Sequence, residues 1–282
     1  MMTVTRLVFF TCALILTMSQ GRLYAAEASN AFNEAVKNQR AGKYKEAIAA
    51  YDRAIKADPK GPEAYVGRGS AFAKTGQHER ALKDYDEAIR LDANLADAYY
   101  LRGNAHSELK KYADAVKDYD EALRRNPKSA DAYYNRGVAY FQLGQMERSI
   151  QDLNQAQKLN PKDAEIYAQR GLAHRRLGSN DQAVADYSEA IKLNPKDAEI
   201  YNNRANAYSL LGKYDEAVKD YDEAVKLDSK NARIYANRGA IKLRQKKIDQ
   251  ARQDFKKAME LDPGLKTKLD PLMALEAPPN TK

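Results

Sequence analysis

The chain has 282 residues, with 47 Lys and Arg against 39 Asp and Glu, a formal charge of +8 and a charged fraction of 30%. A mean hydropathy of −0.74 and interspersed charges mark a water-soluble protein. With no Arg-rich arm and no glycine–aromatic module, they argue against a nucleic-acid binder.

The N-terminus comes first. Arg6 is the only charge among the first 20 residues, and Leu7–Met18 is an apolar run too short for a comfortable membrane span. Polar and then small residues follow, so residues 1–25 read as a cleaved secretory signal, with the cut after Ala25 or Ala26. The only cysteine, Cys12, lies inside this run. The processed chain is thus expected to lack disulfides and zinc–thiolate sites. The expected destination is a bacterial periplasm, with a eukaryotic secretory route as the other possibility.

Residues 26–265 hold a 34-residue period. Seven copies fit one register without insertion: Ala28–Gly61, Pro62–Leu95, Ala96–Ser129, Ala130–Asp163, Ala164–Asp197, Ala198–Asn231 and Ala232–Leu265. The fourth place is Tyr in every copy but the first, as in Tyr99 and Tyr133. The eighth is Gly or Ala throughout, as in Gly103 and Ala205. Ala or Ser fills place twenty, Tyr, Leu or Phe place twenty-four, and Ala place twenty-seven. Two helices of about a dozen residues follow from these spacings, each with an apolar stripe of large and small members. Gly42, Gly76, Gly144, Gly178 and Gly212 stand between the helices, where a left-handed C-cap belongs. Pro59, Pro127, Pro161, Pro195 and Pro263 close the repeats. One helix pair cannot bury its own faces, so the copies must stack on their nearest neighbours.

This pattern resembles the tetratricopeptide repeat (TPR) family, whose signature is Tyr or Trp at four, Gly at eight, Ala at twenty and Pro at thirty-two. The resemblance implies an all-α, right-handed superhelical solenoid of antiparallel helix pairs, with the first helix of each pair lining a concave groove. It further implies a non-enzymatic scaffold for a protein or an extended peptide segment. The groove places carry Tyr100, Asn104, Tyr134, Asn135, Phe141, Arg175, Asn202, Asn206 and Asn237. In the family, asparagines at places nine and six hold a peptide by its backbone, and here Asn104 with Asn135 and Asn206 with Asn237 occupy them. An amide side chain offers both donor and acceptor to a peptide unit. The family's clamp for a terminal carboxylate is not expected, because Tyr100, Glu165 and Gln169 replace its basic residues. The other reading is an assembly factor of an envelope complex that uses the convex face or the ends.

One place departs from the family. Arg68, Arg102, Arg136, Arg170, Arg204 and Arg238 stand at place seven, and Asp84, Asp118, Asp152, Asp186, Asp220 and Asp254 at place twenty-three. An Arg–Asp pair within each repeat is expected. His106 and His174 stand at place eleven and read as packing residues without a carboxylate set around them. With no phosphate loop and no nucleophile elbow, no enzyme, cofactor or metal site is expected. Residues 266–282 are expected to form a short cap over the last helix and then a disordered tail; peripheral membrane contact is not indicated, and the oligomeric state stays open.

Overall fold

The computed structural model describes residues 25–273. The expected leader therefore lies outside the described residues, except for Ala25, and so does the tail after Met273. All regular structure among the described residues is helical. Helix α1 covers 25–40. It is followed by α2 Tyr44–Ala57, α3 Pro62–Lys74, α4 His78–Leu91, α5 Ala96–Glu108, α6 Tyr112–Arg125 and α7 Ala130–Gln142. Then come α8 Met146–Leu159, α9 Ala164–Arg176, α10 Asn180–Leu193, α11 Ala198–Leu210, α12 Tyr214–Leu227, α13 Ala232–Arg244 and α14 Ile248–Leu261. A 3-10 turn at Pro263–Leu265 leads into α15, Lys266–Met273. The all-α helix-pair fold is thus observed, with first helices of 13 residues and second helices of 14 from α2 onward.

The described residues form two compact bodies, one ending at Ala139 and the other beginning at Tyr140. In the N-terminal body α2, α3, α4, α5 and α6 pack in sequence, each on the next, and α3 also touches α5. In the C-terminal body the same order runs from α8 to α14, with α9 against α11 and α11 against α13. Leu269 of α15 is buried against Tyr235, Phe255 and Ala258, and so covers the last helix pair.

The turns explain the period. The five glycines between paired helices have φ of +72° to +78°, while Lys110 and Lys246 occupy the same place at +58° and +61°. Between repeats, Asp58, Asp92, Asn126 and Asp228 each accept a hydrogen bond from the backbone N–H two residues on. That local bond competes with helix and halts it. Asp163, Asp197 and Asn231 then cap α9, α11 and α13 by accepting from N–H groups of the first turn.

The aromatic residue at place twenty-four fills the hole left by glycine at place eight. A Cβ on Gly69, Gly103 or Gly239 would lie 2.7–2.8 Å from a ring carbon of Tyr85, Tyr119 or Phe255. These rings are almost wholly buried, and each of their side chains removes enough apolar surface to contribute about 2 kcal/mol.

The arginines do more than pair within a repeat. Arg68, Arg102, Arg170, Arg204 and Arg238 grip the carboxylate of their own place twenty-three with Nε and Nη2, at 2.6–3.1 Å. Nη1 donates to the preceding repeat instead, at place twenty-five. The acceptors are Asp52, Asp86, Asn154, Ser188 and Asp222, at 2.6–3.0 Å, and Arg136 reaches Asp120 the same way at 2.5 Å. The guanidinium also lies over the ring at place four, 5.4–5.8 Å from its centroid. The arginine thus ties its repeat to the preceding one as well, through place twenty-five.

Place eleven corrects the reading of the histidines. His106 Nδ1 lies 2.9 Å from Asp118, and His174 Nε2 3.8 Å from Asp186. Lys242 does the same to Asp254 at 2.9 Å. Phe72, Tyr140 and Tyr208 alternate with them along the chain, and a guanidinium lies over each of those rings.

Candidate peptide-binding site

In the N-terminal body the first helices α3 and α5 and the start of α7 border a pocket of about 680 Å³. Asn104, Asn135, Tyr119, Ser70, His78 and Leu101 are among its lining residues. Helical spacing places Tyr100 and Asn104 one turn apart on α5. Asn135 on α7 reaches back to both: its Nδ2 donates to the Tyr100 hydroxyl at 2.9 Å and to Asn104 Oδ1 at 3.1 Å. Tyr119 of α6 donates its hydroxyl to the same Asn104 oxygen at 2.8 Å. The Tyr100 and Tyr119 rings lie 6.1 Å apart and tilted.

The structure orients each amide through this network. The Asn104 oxygen is occupied by two donors and one N–H of its NH2 group bonds the Tyr100 hydroxyl, so its second N–H is left to donate. The Asn135 NH2 group is occupied by two acceptors, so its oxygen is left to accept. The pair therefore presents one donor and one acceptor, the complement of a peptide unit. Burial, opposed by hydrogen bonds from Asn104 and Asn135, holds the Tyr100 hydroxyl above its ordinary pKa. It therefore stays a neutral partner at physiological pH.

The other expected site residues separate. Tyr134 is part-buried on α7. In the C-terminal body Asn237 donates to Asn202 at 3.0 Å, and Tyr221 donates to Asn206 at 2.7 Å. Two bonds of the first arrangement thus recur three repeats later, with Asn202 in the place of Tyr100. Asn202 is 7% exposed, so it supports Asn237 rather than offering itself as a groove surface. Phe141 lies under Arg176, 6.0 Å from ring centroid to guanidinium. Arg175 is part-buried at the end of α9.

Tyr119, Ser70, Ser107 and His78 also line the pocket and were missed from sequence. Tyr119 reads as core by its place in the period, and its ring is core. Only its hydroxyl reaches the pocket. The His78 Nδ1 atom is buried without a hydrogen-bond partner. Among the described residues no three His, Cys, Asp or Glu side chains are grouped to hold a metal ion. No helix among them is long and apolar enough to cross a membrane.

Helix pairs repeating every 34 residues, with small residues admitting a buried aromatic ring, define a TPR protein. The chain belongs to the family described as Cilia and flagella-associated protein 70 C-terminal domain, which it matches over residues 27–270. No curated protein gives a significant match. Among solved structures it is similar to YrrB, described as a TPR protein with an unusual peptide-binding site. The identity is 26% and the TM-score 0.58, covering 64% of this chain and 93% of that one. MamA is similar at 26% identity and a TM-score of 0.56, over 62% of this chain and 96% of that one. The C-terminal part of a TPR repeat-containing protein from Cytophaga hutchinsonii shares the fold at 18% identity, with a TM-score of 0.71 over 86% and 99% of the two chains. The expectation of export to a bacterial periplasm is overturned by the family match. That domain is named for a protein of cilia and eukaryotic flagella, not of the bacterial envelope.

Proposed function

We propose that the protein is a non-enzymatic scaffold that binds an extended segment of a partner protein at the pocket bordered by α3, α5 and α7. The observation that carries this reading is the oriented pair Asn104 and Asn135, each held by hydrogen bonds so that one donor and one acceptor are left over. A ligand backbone carbonyl accepts from Asn104, and a ligand N–H donates to Asn135. Tyr100 and Tyr119 fix the two amides and add flat apolar area. Binding then costs little ordering of the protein, since the amides are already locked. The similarity to YrrB, whose printed description includes a peptide-binding site, supports the class of ligand.

The test is a selection of peptides from a random displayed library on the full chain, followed by affinity measurements on the selected peptide. Asn135→Ala and Asn104→Ala variants with unchanged helicity are expected to bind about tenfold more weakly, the cost of leaving a ligand polar group unpaired. Equal affinity for parent and variants would remove this pocket as the site.

A further inference from the structure

The tyrosines at place twenty-four share one requirement: a buried hydroxyl needs a partner. Tyr51 donates to Gln39 at 2.8 Å, from place twenty-four to place twelve. Tyr119 uses both available places, Asn104 at nine and Ser107 at twelve, the latter at 3.3 Å. Tyr221 uses Asn206 at nine. Among the described residues Tyr187 is the place-twenty-four tyrosine whose hydroxyl is buried without an acceptor. Its place nine is Leu172 and its place twelve is Arg175, and neither can accept a hydrogen bond. The Tyr187 hydroxyl is buried with no acceptor for its proton, and the Arg175 Nε is buried without a partner.

The repeat register puts these two groups opposite one another, as it does Gln39 and Tyr51. Burial raises the pKa of both Tyr187 and Tyr221, and Arg175 opposes that rise by its charge at both hydroxyls and by a hydrogen bond to the Tyr187 oxygen. No described carboxylate forms an ion pair with Arg175, in contrast to the arginines at place seven. The second basic residue, Arg176, is adjacent, and Arg244 stands at the same place as Arg176 two repeats on. At the other ends of these helices Glu165 is raised by burial and by the negative charges of Asp197, Asp163 and Glu199. Helices α9 and α11 are thus acidic where they begin, and α9 and α13 are basic where they end.

We propose that Arg175, with the Tyr187 hydroxyl beside it, is an anchoring site for a carboxylate side chain of the bound partner, so that the C-terminal body selects acidic peptide segments. Two donors stand where an acceptor is missing. A carboxylate supplies two acceptor oxygens and the negative charge that this part-buried guanidinium lacks. The inference rests on the peptide-binding reading but uses a different body of the protein and different residues.

The test uses the full chain and two end-blocked fluorescent peptides, heptaglutamate and heptaglutamine, read by anisotropy. Heptaglutamate is expected to bind the parent about tenfold more tightly than Arg175→Gln, by loss of one charge-assisted contact. Tyr187→Phe is expected to lose several-fold, and Arg244→Gln, a matched loss of charge, about twofold or less. Heptaglutamine is expected to show no dependence on Arg175. Equal heptaglutamate binding by parent and Arg175→Gln overturns the proposal and leaves Arg175 as a cation at a helix C-terminus. An equal loss in Arg244→Gln also overturns it, as a general field effect. Asn135→Ala, measured beside them with the peptide selected on the first pocket, reports on the peptide-binding reading separately. Thus loss of that binding with Arg175-dependent heptaglutamate binding intact, or the reverse, tells which of the two fails.

Discussion

Single side chains decide how closely the helices approach. Gly103 leaves room for Tyr119, whose nearest ring carbon would sit 2.7 Å from an added Cβ. Gly103→Ala must therefore push the ring aside, and with it the hydroxyl that fixes Asn104. A loss of about 1–3 kcal/mol is expected, read as a lower thermal midpoint by circular dichroism. Ala35 and Ala205 hold the same place in other repeats, so the fold tolerates a methyl there once the neighbouring ring is set to receive it. The opposite sign is expected at Lys110. Its φ of +58° is the left-handed region, which costs a residue with a Cβ about 1–2 kcal/mol. Lys110→Gly should raise stability by up to about 1 kcal/mol, the rest being lost to the freer unfolded chain. A denaturant midpoint unchanged or lowered in that variant would contradict this account.

Between helices, the arginine at place seven is the principal tie, and its two ends differ in weight. Arg102 holds Asp118, whose side chain is 5% exposed, and Asp86, whose side chain is 61% exposed. Arg102→Ala strands a buried carboxylate with His106 as its remaining basic partner and should cost about 3 kcal/mol. Asp86→Ala removes a screened surface bond and should cost about 0–1 kcal/mol. Urea denaturation of the two variants and their double mutant checks the asymmetry. At this scale much was legible in the sequence. The period, the turn glycines and the pairing of places seven and twenty-three all follow from residue spacing. The second arm of the arginine was also there to be read. Asp52, Asp86, Asp120, Asn154, Ser188 and Asp222 are all acceptors at one place, but their variety hid a common role. The alternation at place eleven was similarly hidden, because a basic residue and an aromatic one satisfy the same neighbourhood by different physics. What was not legible is orientation. Asn104 and Asn135 were expected to face a ligand, and only their mutual bonds show which atom of each is left to do so. Asn202 is buried for the same reason: Asn237 reaches it across a repeat boundary, which no single-repeat pattern reports.

Over the whole molecule the buried tyrosines act together. Burial raises the pKa of Tyr51, Tyr85, Tyr119, Tyr187 and Tyr221, that of Tyr187 to about 12. Each is neutral when protonated, and the folded chain holds that proton more tightly than the unfolded one. Their contribution is therefore complete below the ordinary value of about 10 and is lost as pH rises toward the folded values. The thermal midpoint should stay level up to about pH 10 and then fall steeply. Tyr187→Phe should fall less steeply, because one ionisable group is gone. A midpoint independent of pH up to about pH 12 would contradict the burial argument.

The two-armed arginine also bears on how such a chain changes length. Each inner repeat brings one cation and its own buried anion, and offers one acceptor to whatever follows. A whole copy can then be duplicated or lost without orphaning a charge, whereas a cut inside a copy leaves one. The outer copies do not share this freedom. The first has Glu34 where the others have arginine, and pairs it with its own Arg53 at 2.7 Å. The seventh has Lys256 where the others offer an acceptor. An eighth copy joined there would bring its guanidinium against an ammonium, so copy number can change freely in the interior and not by simple addition after the seventh.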